Sequence, residues 1–583
     1  MRRWTIPSGA ALGALAACGL GAPPALAEEP QISVGGRIQA DSRVRVEEKS
    51  IGDYYDRIEL PAGVERNENK LGLKLDAAIG RFAAVADADL VLLGYSHPLG
   101  GLSDLSRREQ VDPYRLDVHS LYLQVKDVFT GGLDLRVGQQ LVMWGVADQF
   151  NPTNNLNADD LEDPLQFGDQ LGNVMARLDY WLDDDWSLTG VLVPIFKPAL
   201  LPRSARLGAA AVDRLPMTSD SLRWRIHAEQ AAAEQLMGYP TVVTQAVPEL
   251  PETSFENMQF AYRIGGALAD QDVALTYYNG RTDFPQPKAN YTRQSAVPVC
   301  DPGDPARCTK GLLQTEVTLH YPRMHVYGFN MAGEIGLLKE LLDAFNAVGY
   351  QLEAALIVPE RATMKIANDE LKLPLKKVPK DVYDYDGDGR PGGPEPVVVE
   401  STPFAKWTVG LDYSFGAHVY ANVQWVHGLV DEYGAGDFIT EGWAVRQGGV
   451  SEGAKTVSCA LKGDGTKCAR EILRPRLGDY LVLGVDLRFL ETRLLARLFT
   501  ILDLNGYDET FWDEAAGRRL GKHYPPFSAE GFSAVLYPQL SYNFGSGFEL
   551  AAGALVQLGE DYTKFGDPAA GGSIVWTRSS LAF

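Results

Sequence analysis

The chain has 583 residues, a formal net charge of −22 and a pI near 4.9. That balance repels phosphate backbones and removes the electrostatic footing for nucleic-acid binding. Charged residues interrupt every apolar run after the N-terminus, so no stretch there reaches the 18 or more apolar residues of a membrane-spanning helix.

The N-terminus opens with Arg2 and Arg3, continues through a weakly apolar run over about 6–20, and reaches Ala25-Leu26-Ala27. This is the pattern of a secretory signal with an A-x-A cleavage site, so 1–27 is expected to be removed and 28–583 exported. A second reading places lipidation at Cys18, in the lipobox-like Leu15-Ala16-Ala17-Cys18. Length alone would allow the exported part three or four domains, yet no linker or composition shift divides it, and a single domain is expected.

The first exported segment, ISVGGRIQADSRVRVE (32–47), alternates for sixteen residues. Ile32, Val34, Ile38, Ala40, Val44 and Val46 fall on one face, with Arg37, Gln39, Asp41, Arg43 and Arg45 on the other. That period of two is a β-strand, and its length exceeds the five or six residues usual in globular sheets. Leu71, Leu73, Leu75 and Ala77 alternate before the tight Gly80-Arg81 junction, and Ala84, Ala86, Ala88, Leu90 and Leu92 alternate after it. Leu121/Leu123/Val125 and Leu133/Leu135/Val137 make a second hairpin. Further hairpins are expected to turn at 183–185, 270–272, 415–417, 491–492 and 545–547. One more lies between about 327 and 359, joined through Leu338, Leu341, Leu342 and Phe345 at helical spacing, or through a buried strand.

These hairpins plus one strand at each end predict about 18 strands (16–18). Between the hairpins lie long segments rich in Pro, Gly, Asp and Asn, at roughly 47–69, 94–113, 144–173, 196–257, 281–323, 359–405, 428–479, 503–533 and 558–572. Short turns on one side and long loops on the other predict an all-β fold: a transmembrane antiparallel β-barrel with short periplasmic turns and long extracellular loops. A soluble exported multi-sheet protein would alternate equally well, but it does not account for connections that alternate in length along the whole chain.

Two cysteine pairs, Cys300/Cys308 and Cys459/Cys468, each bracket a turn containing Gly or Asp. In an exported protein they read as local disulfides, and neither pair has the histidine or spacing of a zinc site. The stretch DYDGDGRPGGPE (384–395) satisfies a calcium-loop spacing, with Asp384, Asp386 and Asp388 as donors, Arg390 at position seven and Glu395 closing. No amphipathic helices flank it and Pro391 stands at position eight. The expectation is therefore a structural calcium staple or an unoccupied acidic loop, and no cofactor is required.

The last strand, SIVWTRSSLAF, ends in Phe583 with Leu581 and Val575 at even steps before it, although Ser579 and Thr577 occupy apolar slots. With the alternation throughout, the chain resembles Gram-negative outer-membrane porins. LRVGQQLVMWGVADQFNPTN (135–154) resembles a segment of an uncharacterised porin-like family with no assigned substrate. The resemblance implies outer-membrane lipid and small solutes as partners, and Phe583 as the signal read by the barrel-assembly machinery.

In such a barrel, function falls to the inward polar faces and to any loop that folds into the bore. Arg37, Arg43, Arg45 and Arg136 form a candidate basic ladder. The third long loop carries Asp148, Asp159, Asp160, Glu162, Asp163 and Asp169. If it folds inward, as porin third loops do, these carboxylates would face the arginines across a constriction; otherwise they are solvated surface or wall-stabilising pairs. No G-x-S-x-G, H-E-x-x-H or phosphate loop occurs, so no enzyme is expected. The reading is a passive channel for small solutes. The alternatives are a plugged barrel that binds or adheres to a partner, and an outer-membrane partner of a system exporting hydrophobic molecules.

Overall fold

The computed structural model describes residues 29–208, 238–335, 347–367, 397–399, 401–434, 468–513 and 518–583. Eighteen antiparallel strands form one sheet that closes on itself. In chain order they are β1 Gln31–Arg45, β2 Gly63–Ile79, β3 Phe82–Leu93, β4 Tyr114–Val125, β5 Leu133–Gln140 and β6 Asn173–Trp181. They continue as β7 Ser187–Val193, β8 Gln259–Leu268, β9 Gln271–Arg281, β10 Arg323–Ile335, β11 Val348–Pro359 and β12 Phe404–Phe415. The last six are β13 Val419–His427, β14 Asp479–Phe489, β15 Leu494–Asp503, β16 Ser533–Gly545, β17 Phe548–Gly559 and β18 Ile574–Ala582.

Closure is made by β1 and β18, paired from Arg37↔Ala582 to Arg45↔Ile574. Beyond the last pair, Gly36 and Phe583 exchange backbone hydrogen bonds of 2.9 Å each way. Gly36 is required there, because a Cβ would stand 2.6 Å from the Phe583 ring. A closed ring leaves no unpaired edge, which is the condition for a sheet to exist in hydrocarbon.

The alternation sorts side chains as expected. Leu123, Leu275 and Leu540 point outward and are 64, 58 and 53 % exposed, whereas the residues beside them in each strand face the lumen. Burial of apolar groups cannot explain such a surface, and contact with lipid does. Phe82, Trp181, Phe415, Phe489 and Phe544 are also exposed, at strand ends beside the short turns, and mark one membrane interface. The tightest turns use left-handed backbone: Ala269 and Asp270 at φ 52° and 60°, Ser546 and Gly547 at 54° and 81°.

Nine long connections emerge on the other side, at 46–62, 94–113, 141–172, 194–258, 282–322, 360–403, 428–478, 504–532 and 560–573. Two expectations change. β2 begins at Gly63 rather than near residue 70, because Arg66, Glu68 and Lys70 face the lumen, where polar side chains are at home. The long connections also hold strands of their own: Thr241–Pro248, Gln286–Ser295, Leu312–His320, Ala362–Ala367 and Val397–Val399 join into one five-stranded sheet.

One of the two expected disulfides falls within the described residues. Cys300 and Cys308 form a disulfide in the fifth connection. The second expected bridge, Cys459–Cys468, involves a residue outside the described ones. Cys468 opens a short strand, Cys468–Leu473, that pairs antiparallel with Tyr507–Asp513 of the eighth connection. Its expected partner Cys459 lies outside the described residues. The signal segment with Cys18, the helical reading over 336–346 and the calcium-loop residues Asp384, Asp386, Asp388, Arg390 and Glu395 lie outside them as well.

Candidate constriction site

The third connection, 141–172, runs inside the bore. Val142, Trp144 and Leu156 bury against lumen-facing Met175, Val191, Val193, Ala261, Val326 and Ile357, on β6 to β11. Phe150, its ring centroid 5.3 Å from that of Phe167 and tilted 51° to it, buries against Val426, Val482, Ile501, Val535 and Leu555 on β13 to β17. These patches give an apolar loop segment a route out of water between polar lumen walls, and their burial drives the docking.

Directional contacts then fix the path. Glu353, on β11 and fully buried, accepts the backbone N–H groups of Val146, Ala147 and Thr153 at 2.9, 3.2 and 2.9 Å, and the Thr153 hydroxyl at 2.7 Å. Gly145 makes the approach feasible: its φ is +124°, and a Cβ would stand 2.7 Å from the Glu353 carboxylate. Asn422 and Gln424 of β13 donate to Asp148 at 3.1 and 2.9 Å, and Thr408 of β12 donates to the Phe150 carbonyl at 2.7 Å.

At its other end the loop meets a charged wall. Asp163 pairs with Arg43 of β1 and lies 3.5 Å from Arg66 of β2, and Glu162 lies 2.7 Å from Arg66 and 3.8 Å from Arg115 of β4. Glu353 and Arg66 stand half a circuit apart in the ring of eighteen strands, so the loop ties opposite walls together across the lumen.

The proposed ladder residues therefore separate. Arg43, 2 % exposed, is held by Asp41 at 2.8 Å and by Asp163. Arg45 pairs with Glu65 at the loop-side end of β1. Arg37 lies farther from the loops and bonds Asp89 at 2.6 Å. Arg136 sits on β5 opposite Arg177 of β6, and its buried Nε has no hydrogen-bond partner. Asp160 accepts from the Glu162 N–H and is bridged through its backbone to Leu200. Asp159 accepts from Gln170 at 3.1 Å, while its own N–H donates to Asp283 of the fifth connection at 2.8 Å. The structure thus adds Arg66, Arg115 and Glu353 to the residues expected. Glu353, in QLEAALIVP, is a carboxylate centred in an apolar strand, which is the one signal the sequence offers for it.

These loop carboxylates differ in their protonation. Burial raises Asp159 well above the usual carboxylate range, and the Asp283 charge adds to this. Burial also raises Asp148, with the charge of Asp412 contributing, and it raises Asp160 and Asp169. Asp163 behaves oppositely: burial pushes it up, but the hydrogen bond and charge of Arg43, with Arg66, outweigh that and hold it below its ordinary value.

No family model and no curated protein matches the chain. Among solved structures it is similar to OccAB1 of Acinetobacter baumannii, at 7% identity and a TM-score of 0.40 over 94% of this chain and 96% of that one. It is similar to the outer membrane protein opdK from Pseudomonas aeruginosa, at 9% identity and 0.38 over 94% and 99%. It is also similar to the outer membrane channel DcaP of Acinetobacter baumannii, at 9% identity and 0.34 over 95% and 97%. The class of protein follows from the closed register and the apolar exterior: a transmembrane antiparallel β-barrel.

Proposed function

We propose that the protein is a porin-type channel that passes small solutes by diffusion, with the third connection as its constriction. The observation that carries this reading is the loop tied to Glu353 on one wall and to Arg43 and Arg66 on the opposite one. A segment so placed divides the bore and leaves solutes the space between it and the wall. Arg37 and Arg136 with Asp148, Asp160 and Glu162 are assigned the charge that solutes meet, whereas Arg43, Arg45 and Asp163 are buried in ion pairs and burial disfavours the charge of Asp159. Phe583 is proposed as the assembly signal and 384–395 as a structural calcium loop. The test is single-channel conductance of the purified full-length chain in planar bilayers, with and without millimolar calcium. Discrete open steps support the channel. Silence from protein shown to be folded by its gel mobility before and after boiling would assign a plugged barrel instead.

A further inference from the structure

We propose that a pocket between the third, fourth and ninth connections binds an anionic oxoacid group, a phosphate or a carboxylate. Its floor is Arg45, the last residue of β1, which is 4 % exposed. Nη2 of Arg45 pairs with Glu65, whereas Nη1 is buried with no hydrogen-bond partner. A buried guanidinium nitrogen without an acceptor is costly, and an anionic oxygen is the partner that suits it.

The space beside Nη1 is bordered by a hydroxyl and a second guanidinium. A Cβ at Gly571 would lie 3.8 Å from Arg45 Nη1 and 3.2 Å from Ser204 Oγ, so these two groups flank the gap that this glycine, at φ +106°, leaves open. Arg203 lines the same pocket; it donates to the Tyr95 hydroxyl at 3.2 Å and has no carboxylate partner among the described residues. The other two lining arginines are already engaged, Arg43 by Asp41 and Asp163, and Arg66 by Glu162 and Glu68. The carboxylates that line it are Glu65 and Glu162. Glu65 Oε2 is also buried without a partner, so a small rotation that made the Arg45–Glu65 pair bidentate is the rival arrangement. It would satisfy Nη1 internally and abolish the site.

The reading does not depend on conduction, and its test is kept apart from conductance. Radiolabelled orthophosphate is equilibrated by dialysis, at low ionic strength, against the folded full-length protein in a neutral detergent. One saturable site per chain is expected, weakened by about tenfold or more in Arg203→Ala and partly restored in Arg203→Lys. Arg203 is exposed, and unchanged gel mobility before boiling confirms that each variant folds. Nanodiscs then separate the sources: competition by phosphatidylglycerol but not phosphatidylcholine assigns a lipid headgroup, and competition by neither assigns a dissolved anion. Absence of saturable binding, or equal binding by wild type and Arg203→Ala, overturns the proposal.

Discussion

Glu353 and Thr153, 200 residues apart in the chain, are joined twice, by the Thr153 N–H at 2.9 Å and by its hydroxyl at 2.7 Å. With Val146 and Ala147 also donating, one wall carboxylate holds the turn of the third connection. Glu353→Ala removes the acceptor from four donors in a buried site, at a cost of roughly 1–3 kcal/mol for each donor left unpaired. The expected result is a folded barrel with larger and noisier open steps, and faster proteolysis within 141–172. Bilayer recording and limited proteolysis measure both; steps identical to wild type would remove Glu353 from control of the aperture.

Arg43 and Asp163 form the matching tie on the opposite wall. Arg43→Ala leaves Asp163 and Asp41 buried without this cation, and truncating one partner of a buried pair costs about 3–5 kcal/mol. Arg578, 2.7 Å from Asp41, moderates the loss. The reversal potential in a salt gradient is expected to shift toward cation preference in Arg43→Ala, and the opposite way in Asp163→Asn. Shifts of equal sign in both variants would contradict a charge effect.

Acid is expected to leave the third connection docked. Asp159 and Asp283 are raised, so they bind protons more tightly docked than free; their contribution grows as pH falls through the raised values and fades as pH rises through them. Asp163 is lowered, so its contribution is present above the ordinary carboxylate range and is lost only as pH falls through its depressed value. Between pH 7 and about pH 4.5 both trends hold or strengthen docking. Conductance recorded over that interval should show no enlarged state, and any loosening should appear on the alkaline side.

The Cys300–Cys308 bridge spans a separation of eight residues within the fifth connection, away from the ring. A short loop of this kind contributes roughly 2–3 kcal/mol, and only locally. Cys300→Ser with Cys308→Ser is expected to leave the boiling-dependent gel shift unchanged while protease cutting near 300–308 increases. Loss of the gel shift would show that the bridge supports the barrel itself.

Deleting Phe583 removes both backbone bonds to Gly36 at the seam. The folded barrel, once formed, keeps its other β1–β18 pairs, so stability is expected to change little. The amount reaching the outer membrane is expected to fall. Fractionation of cells separates these effects, and undiminished outer-membrane yield would end the assembly-signal reading.

Much of the barrel is legible because a period of two survives wherever one face meets lipid and the other water. Ile38 and Arg43 declare their sides from position alone. Where both faces are polar, that signal fades: the start of β2 around Arg66 and Glu68 reads as loop, and the strands at 241–248, 312–320 and 468–473 hide among turn-rich segments. The third connection announces its carboxylates, and Arg43 is visible as a lumen residue. Which arginine meets which carboxylate depends on a fold that brings 66 to 162 and 353 to 153. Arg37 shares the period of Arg43 on the same strand, β1, but stands at another height, and Arg136 stands on β5, elsewhere in the ring; strand periodicity encodes neither difference.

A ring of strands resists stretching along its hydrogen bonds far better than it resists being squeezed into an oval. The loop that joins Glu353 to the Arg43–Arg66 side acts as a strut along one diameter, and with it in place that diameter cannot change without breaking several buried contacts. If the bore conducts as proposed, the passage would keep one shape under lateral pressure from the surrounding lipid, and a solute too large for it would be refused rather than accommodated by bulging of the wall.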